Sequence, residues 1–113
     1  MGIKGWSLIG LMMCFFSLPT LALEEPDFWI DVRTPEEYSA GHAEGAINIP
    51  YQTISDVIID VTQDKNSLIY VYCRSGNRSG RALKSLNEIG YDNVVNVGGL
   101  TQAIEIQEQL NTR

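Results

Sequence analysis

Four short apolar runs alternate with segments of helical spacing, and that alternation limits the possible folds more than any single residue does. Phe28-Trp29-Ile30-Asp31-Val32, Ala46-Ile47-Asn48-Ile49, Leu68-Ile69-Tyr70-Val71-Tyr72 and Val94-Val95-Asn96-Val97 are rich in β-branched and aromatic side chains. Runs of this length suit buried strands and are too short for buried helices. Strands separated by helices predict an α/β chain with a mostly parallel central sheet and helices on both faces. At 113 residues the chain has the size of one domain. In such sheets ligands sit outside the carboxyl ends of the strands.

The segments between the runs carry start and stop signals. Thr34-Pro35-Glu36-Glu37 offers an N-cap, a proline at the first helical position and the glutamate of a capping box, so a short helix is expected to start there and end near Gly41. Pro50 stops the second strand, and 53–61 has a weaker helical pattern. Asp64-Lys65-Asn66 reads as a turn. Ala82, Leu83, Leu86 and Ile89 recur at helical spacing, with Gly90 at the position of a C-terminal glycine. Gly98-Gly99 reads as a turn after the last strand, and 100–110 as a final helix.

Residues 1–22 stand apart from this pattern. Lys4 gives a short positive region, Trp6 to Leu18 an apolar stretch, and Pro19-Thr20-Leu21-Ala22 a breaker with a small residue at its end. This predicts a secretory signal peptide removed after Ala22, leaving 23–113 as the domain and an exported, periplasmic product. An uncleaved anchor would want an apolar span of about 20 residues. Cys14 follows Met13, which is not the small residue that a lipidation motif would place there. Of the 2 cysteines only Cys73 would then remain, ruling out an intramolecular disulfide in a disulfide-permissive compartment. Loss of Lys4 from the 8 basic residues leaves 7 against 14 acidic ones, a net charge near −7. That balance argues against nucleic acid or an anionic membrane surface as a partner.

The third apolar run leads directly into Cys73-Arg74-Ser75-Gly76-Asn77-Arg78 and then into a helical pattern. A cysteine between a strand end and a helix start faces unpaired N–H groups and the positive end of the helix dipole, and both favour the thiolate. Arg74, Arg78 and Arg81 are expected to crowd around this thiol and to meet a small anionic ligand. A loop of Gly, Asn, Ser and Arg is not an apolar core, so a merely structural cysteine is the weaker reading.

Several ordered blocks together resemble the rhodanese family: Asp31-Val32-Arg33, Glu37-Tyr38, Gly41-His42, Gly45-Ala46-Ile47-Asn48-Ile49-Pro50, Tyr72-Cys73-Arg74-Ser75-Gly76-Asn77-Arg78-Ser79-Gly80 and Gly98-Gly99. The resemblance runs from about Phe28 to Ile104, where many members carry tryptophan instead of Ile104. With its leader, the chain is most similar to the small periplasmic phage-shock members of bacteria. The resemblance implies a thiosulfate sulfurtransferase. In that reaction Cys73 takes the outer sulfur of thiosulfate, releases sulfite, and passes the sulfur from a persulfide to a thiophilic acceptor such as cyanide or a thiol. It implies no cofactor. An alternative is a sulfur-carrying or ligand-binding module without useful turnover.

The loop chemistry fits that expectation. Backbone N–H groups of 74–79 can form an anion-binding nest, with Gly76 allowing a conformation that a Cβ would hinder. Arg74 and Arg78 are expected to hold the oxygens of thiosulfate and of the leaving sulfite. Ser75, Asn77 and Ser79 are candidates for substrate contact and equally for turn and cap residues. Cysteine phosphatases and related arsenate reductases place an arginine six positions after the cysteine; here that position is Ser79, and the arginine comes one earlier. A phosphatase would also want a general acid, for which Asp31 is the only obvious candidate, and the resemblance makes Asp31 a structural residue near the pocket. Arg33 is expected in a structural ion pair. His42, the only histidine, is expected to hydrogen-bond Asp31 or nearby backbone, and no zinc or heme ligand set is indicated. Trp29 and Tyr70 are expected in the core, and Tyr72 at the pocket border.

Overall fold

The computed structural model describes residues 23–112. The 1–22 leader, including Cys14, lies outside them. Strands and helices alternate without exception: β1 (Phe28–Asp31), α1 (Pro35–Ala40), β2 (Ile47–Asn48), α2 (Ile54–Val61), β3 (Ile69–Cys73), α3 (Asn77–Glu88), β4 (Val94–Gly99) and α4 (Leu100–Asn111). The four strands form one sheet in the order β2-β1-β3-β4, and every pairing is parallel.

Alternation along the central strands sorts side chains onto two faces. Ile30, Val32, Ile69, Val71 and Cys73 pack with Ile54 and Ile58 of α2 and Ala82 and Leu86 of α3. Trp29, Tyr70 and Tyr72 pack on the other face with Ala103 of α4, bordered by Tyr38 of α1. Trp29 and Tyr70 meet edge to face with ring centroids 5.1 Å apart. All five residues of β3 are buried. The sheet is therefore covered on both sides, as the apolar runs require. No helix among the described residues is long and apolar enough to cross a membrane.

Local signals account for most element ends. Thr34 caps α1 by accepting the Glu37 N–H at 3.2 Å, and Glu37 Oε1 accepts the Thr34 N–H at 3.1 Å, closing the capping box. Gly41 ends α1 at φ 153°, and Gly90 follows α3 at φ 100°. Asp64 Oδ1 accepts the Asn66 N–H at 2.9 Å, fixing the turn before β3.

Two expectations change. The second strand shortens to Ile47–Asn48, because the Asn48 side chain bonds the carbonyls of Asp31 and Arg33, each at 3.0 Å, and the chain then bends away at Pro50. Gly98-Gly99 is not a turn after the last strand but its final pair. Val71 faces Asn96, yet Tyr72 faces Gly98 and Cys73 faces Gly99, so Val97 is the extra residue of a bulge. Gly98 takes φ 102° to make it. The bulge carries β4 past the end of β3, alongside the cysteine loop.

Candidate active site

Cys73 is the last residue of β3, and Gly76, in the left-handed conformation at φ 100°, caps α3 without a side chain of its own. The sulfur takes the place of that missing cap. The Gly76 N–H donates to Cys73 Sγ at 2.9 Å, and the Ser79 hydroxyl lies 3.4 Å from the same atom. Cys73 is 1% exposed, and burial pushes its thiol up. The Ser79 hydroxyl and the N–H groups of Ser79, Gly76 and Ser75 outweigh burial and bring it down to about 7. Three of these donors are backbone groups at the start of a helix, where N–H groups lack intrahelical partners.

The arginines are disposed differently from the sequence expectation. Arg78 reaches across to α1 and donates from both terminal nitrogens to Glu37, at 2.7 and 3.0 Å. Glu37 raises the Arg78 pKa first and foremost, with the Cys73 charge a lesser influence in the same direction. Arg74 is exposed beside the thiol, while its carbonyl packs against Gly99 so closely that a Cβ there would overlap it. The Arg81 guanidinium lies 5.9 Å from the ring centroid of Tyr51, which packs on the core that contains Cys73. The donors that most lower the Cys73 pKa are the Ser79 hydroxyl and the loop N–H groups. Ser75 and Asn77 are exposed on the loop, and Ser79 is fully buried.

Asp31 and Arg33 form a buried pair. Asp31 accepts from Arg33 Nε at 3.0 and 3.1 Å, from Arg33 Nη2 at 2.7 Å and from the Arg33 N–H at 2.9 Å. Tyr72 donates its hydroxyl proton to Asp31 at 2.7 Å and accepts the Ala43 N–H at 2.9 Å. Burial pushes the Tyr72 hydroxyl far up, so it remains a donor. Arg33 also donates to the Gly41 carbonyl at 2.7 Å. This network joins β1, β3 and the segment after α1. Tyr72, expected at the pocket border, is fully buried within this network. His42 bonds the Tyr38 carbonyl at 2.9 Å and stacks on the Tyr38 ring at 3.7 Å; its partner is backbone and not Asp31.

Two functional candidates escape sequence reading. Glu37 is explained by its capping box, and nothing local points to Arg78, 41 positions away. Asn96 hydrogen-bonds both Ser79 and the Gly76 carbonyl, at 2.7 and 3.0 Å. Its one signal is that Asn is depleted in strands. A hollow of about 380 Å³ between Glu25–Trp29, Glu44–Ile47 and Gln107–Asn111 touches none of the loop residues. The thiol site is a ring of loop donors around a buried sulfur.

Comparison with known proteins agrees with this geometry. The rhodanese-like domain family matches residues 20–105. The chain is 48% identical over 85 residues to thiosulfate sulfurtransferase PspE of Escherichia coli (strain K12), covering 75% of this chain and 79% of that protein. It is 43% identical over 88 residues to the adenylyltransferase and sulfurtransferase uba4 of Ogataea parapolymorpha, covering 76% of this chain and only 22% of that larger protein. Among solved structures, a rhodanese with anions from E. coli superimposes with a TM-score of 0.64 at 47% identity, covering 66% of this chain and 88% of that one. With a thiol held among loop donors at the end of a parallel strand, and matches of this extent, the chain belongs to the rhodanese family.

Proposed function

We propose that this protein is a thiosulfate sulfurtransferase working through a Cys73 persulfide. The Cys73 thiolate attacks the outer sulfur of thiosulfate, the sulfur–sulfur bond of the donor breaks, and sulfite leaves with the electron pair. A thiophilic acceptor, cyanide or a thiolate, then attacks the outer sulfur of the persulfide, and Cys73 departs as thiolate. No oxidant or cofactor is consumed. The observation that carries this reading is the convergence of the Gly76 N–H and the Ser79 hydroxyl on one sulfur, with the pKa brought down to about 7.

Thiosulfate brings two negative charges to the mouth of the loop. Arg74, exposed beside the sulfur, and Arg78, with its Nε–H outside the fork given to Glu37, supply guanidinium donors for the sulfonate oxygens. The exposed Ser75 and Asn77 border the same mouth. Ser79 serves the sulfur itself, and Asp31, Arg33 and His42 support the strand ends and the segment after α1. The n-region, apolar stretch and Ala22 of the leader support export to the periplasm with cleavage before Leu23.

Intact-mass measurement after thiosulfate exposure tests the chemistry. One added sulfur atom on the wild-type protein and none on Cys73→Ser is the expected result. Multiple turnover with thiosulfate and cyanide separates an enzyme from a sulfur carrier. Sulfur uptake by the folded serine variant would refute the mechanism.

A further inference from the structure

We propose that Asn96 is a positioning residue of the sulfur-transfer site, holding Ser79 and the Gly76 carbonyl so that the loop's donors converge on Cys73. The inference rests on the reading of Cys73 as the nucleophile. Asn96 belongs to β4 rather than to the loop, and it meets the loop because of the bulge. It pairs with Val71, just before the register shifts. Its Oδ1 accepts the Gly98 N–H at 3.0 Å and the Ser79 hydroxyl at 2.7 Å, while its Nδ2 donates to the Gly76 carbonyl at 3.0 Å. Acceptor and donor partners on opposite sides of the amide leave only one consistent orientation.

The hydroxyl geometry gives Asn96 its role. Ser79 has one hydroxyl proton and two acceptors in reach, Asn96 Oδ1 at 2.7 Å and Cys73 Sγ at 3.4 Å. In the thiol form, Ser79 donates to Asn96 and its oxygen can accept the Cys73 S–H. When the thiol proton leaves to bulk water, the Ser79 proton turns to the sulfur, and Asn96 Oδ1 keeps the Gly98 N–H. Neither protonation state strands a buried polar atom. At the same time, Nδ2 fixes the carbonyl of Gly76, the residue whose own N–H donates to the sulfur at 2.9 Å. Gly76 is in the left-handed region at φ 100°, and its carbonyl also accepts the Gly80 N–H at 3.0 Å, the first bond of α3. Asn96 thus joins both donors of the sulfur to the rigid sheet.

The test is the pH dependence of Cys73 alkylation by iodoacetamide, which requires no sulfur donor. Asn96→Leu keeps a side chain of similar size without hydrogen bonds, and Asn96→Thr supplies a strand-compatible second variant if the first folds poorly. The charged and titratable groups on the elements packed about the thiol, Arg74, Arg78 with Glu37, Arg81 with Tyr51 and, across the sheet, Asp31 with Arg33 and Tyr72, are retained in both. Each variant frees the Gly76 carbonyl, which weakens the N–H donor to the sulfur, and removes the acceptor that competes for the Ser79 proton, so each is expected to move the alkylation midpoint by half a pH unit or more. Ser79→Ala is expected to raise the midpoint. In the Ser79→Ala background only the Gly76 contact remains, so adding Asn96→Leu there is expected to raise the midpoint further, and by an amount different from its effect in the wild type. A midpoint unchanged in both folded Asn96 variants, whatever their melting temperature, would overturn the role of Asn96. A wild-type protein that alkylates normally but takes up no sulfur would overturn the sulfurtransferase reading instead.

Discussion

The Glu37–Arg78 pair sets the charge that an incoming anion meets, so neutralising Glu37 should improve the use of thiosulfate. Arg78 holds the Glu37 carboxyl down from 4.5 to about 2. Converted at about 1.4 kcal/mol per pH unit, this sets a ceiling of roughly 3 kcal/mol on the pair. The two side chains are 27% and 23% exposed, and solvent screening reduces the interaction to about 1 kcal/mol. Glu37→Gln should therefore cost about 1 kcal/mol of stability at neutral pH. The folded-state pKa is depressed, so this contribution is complete above the ordinary carboxyl value of 4.5 and is lost as pH falls through about 2. The variant and the wild type should converge in stability across that window. In catalysis the sign reverses. Arg78 no longer shares its charge, and kcat/KM for thiosulfate should rise by up to about fivefold, the equivalent of about 1 kcal/mol. Arg78→Ala should instead lower it at least about tenfold, from the 1.5–3 kcal/mol typical of hydrogen bonds to charged groups. The assay is single-turnover persulfide formation, followed separately from transfer to a neutral thiol, which should change less in both variants. A Glu37→Gln protein as impaired as Arg78→Ala would refute the reasoning, showing that Glu37 aims the guanidinium instead of offsetting its charge.

The rate of persulfide formation should rise with pH through a midpoint near 7 and drop to about a tenth of its plateau one pH unit below it; a midpoint above 8 would contradict the donor arrangement. Gly99→Ala should destabilise the fold by about 1–3 kcal/mol, measured by urea unfolding, because the new Cβ overlaps the Arg74 carbonyl. Protein recovered from the periplasm should begin at or near Leu23 by N-terminal sequencing, and a retained Met1 would overturn the export reading.

What the sequence made legible is what depends on neighbours in the chain. The Thr34–Glu37 capping box, the glycines after α1 and α3, and the strand–loop–helix around Cys73 all follow from residues a few positions apart. Gly98-Gly99 misled because paired glycines suit a turn as well as a bulge, and only pairing with Tyr72 and Cys73 decides between them. Charge near the thiol was legible as composition, but not its distribution. Glu37 and Arg78 are 41 positions apart, Ser79 and Asn96 are 17 apart, and the sheet order alone brings each pair together. Arg33, expected in a structural ion pair, forms it with Asp31 two positions earlier.

Burial of the sulfur also makes the site a filter with different apertures for its two partners. Displacement on sulfur requires nucleophile, centre and leaving group nearly in line, and a thiol 1% exposed offers that line only to a reagent narrow enough to enter the loop. A disulfide-bonded protein approaching Cys73 would bring its own backbone against Arg74 and Ser75 before the sulfurs met. Once loaded, however, the reactive atom stands about 2 Å farther out, one sulfur–sulfur bond beyond the thiol. The buried thiol thus favours narrow reagents, and the sulfur it carries lies one bond nearer to whatever takes it up.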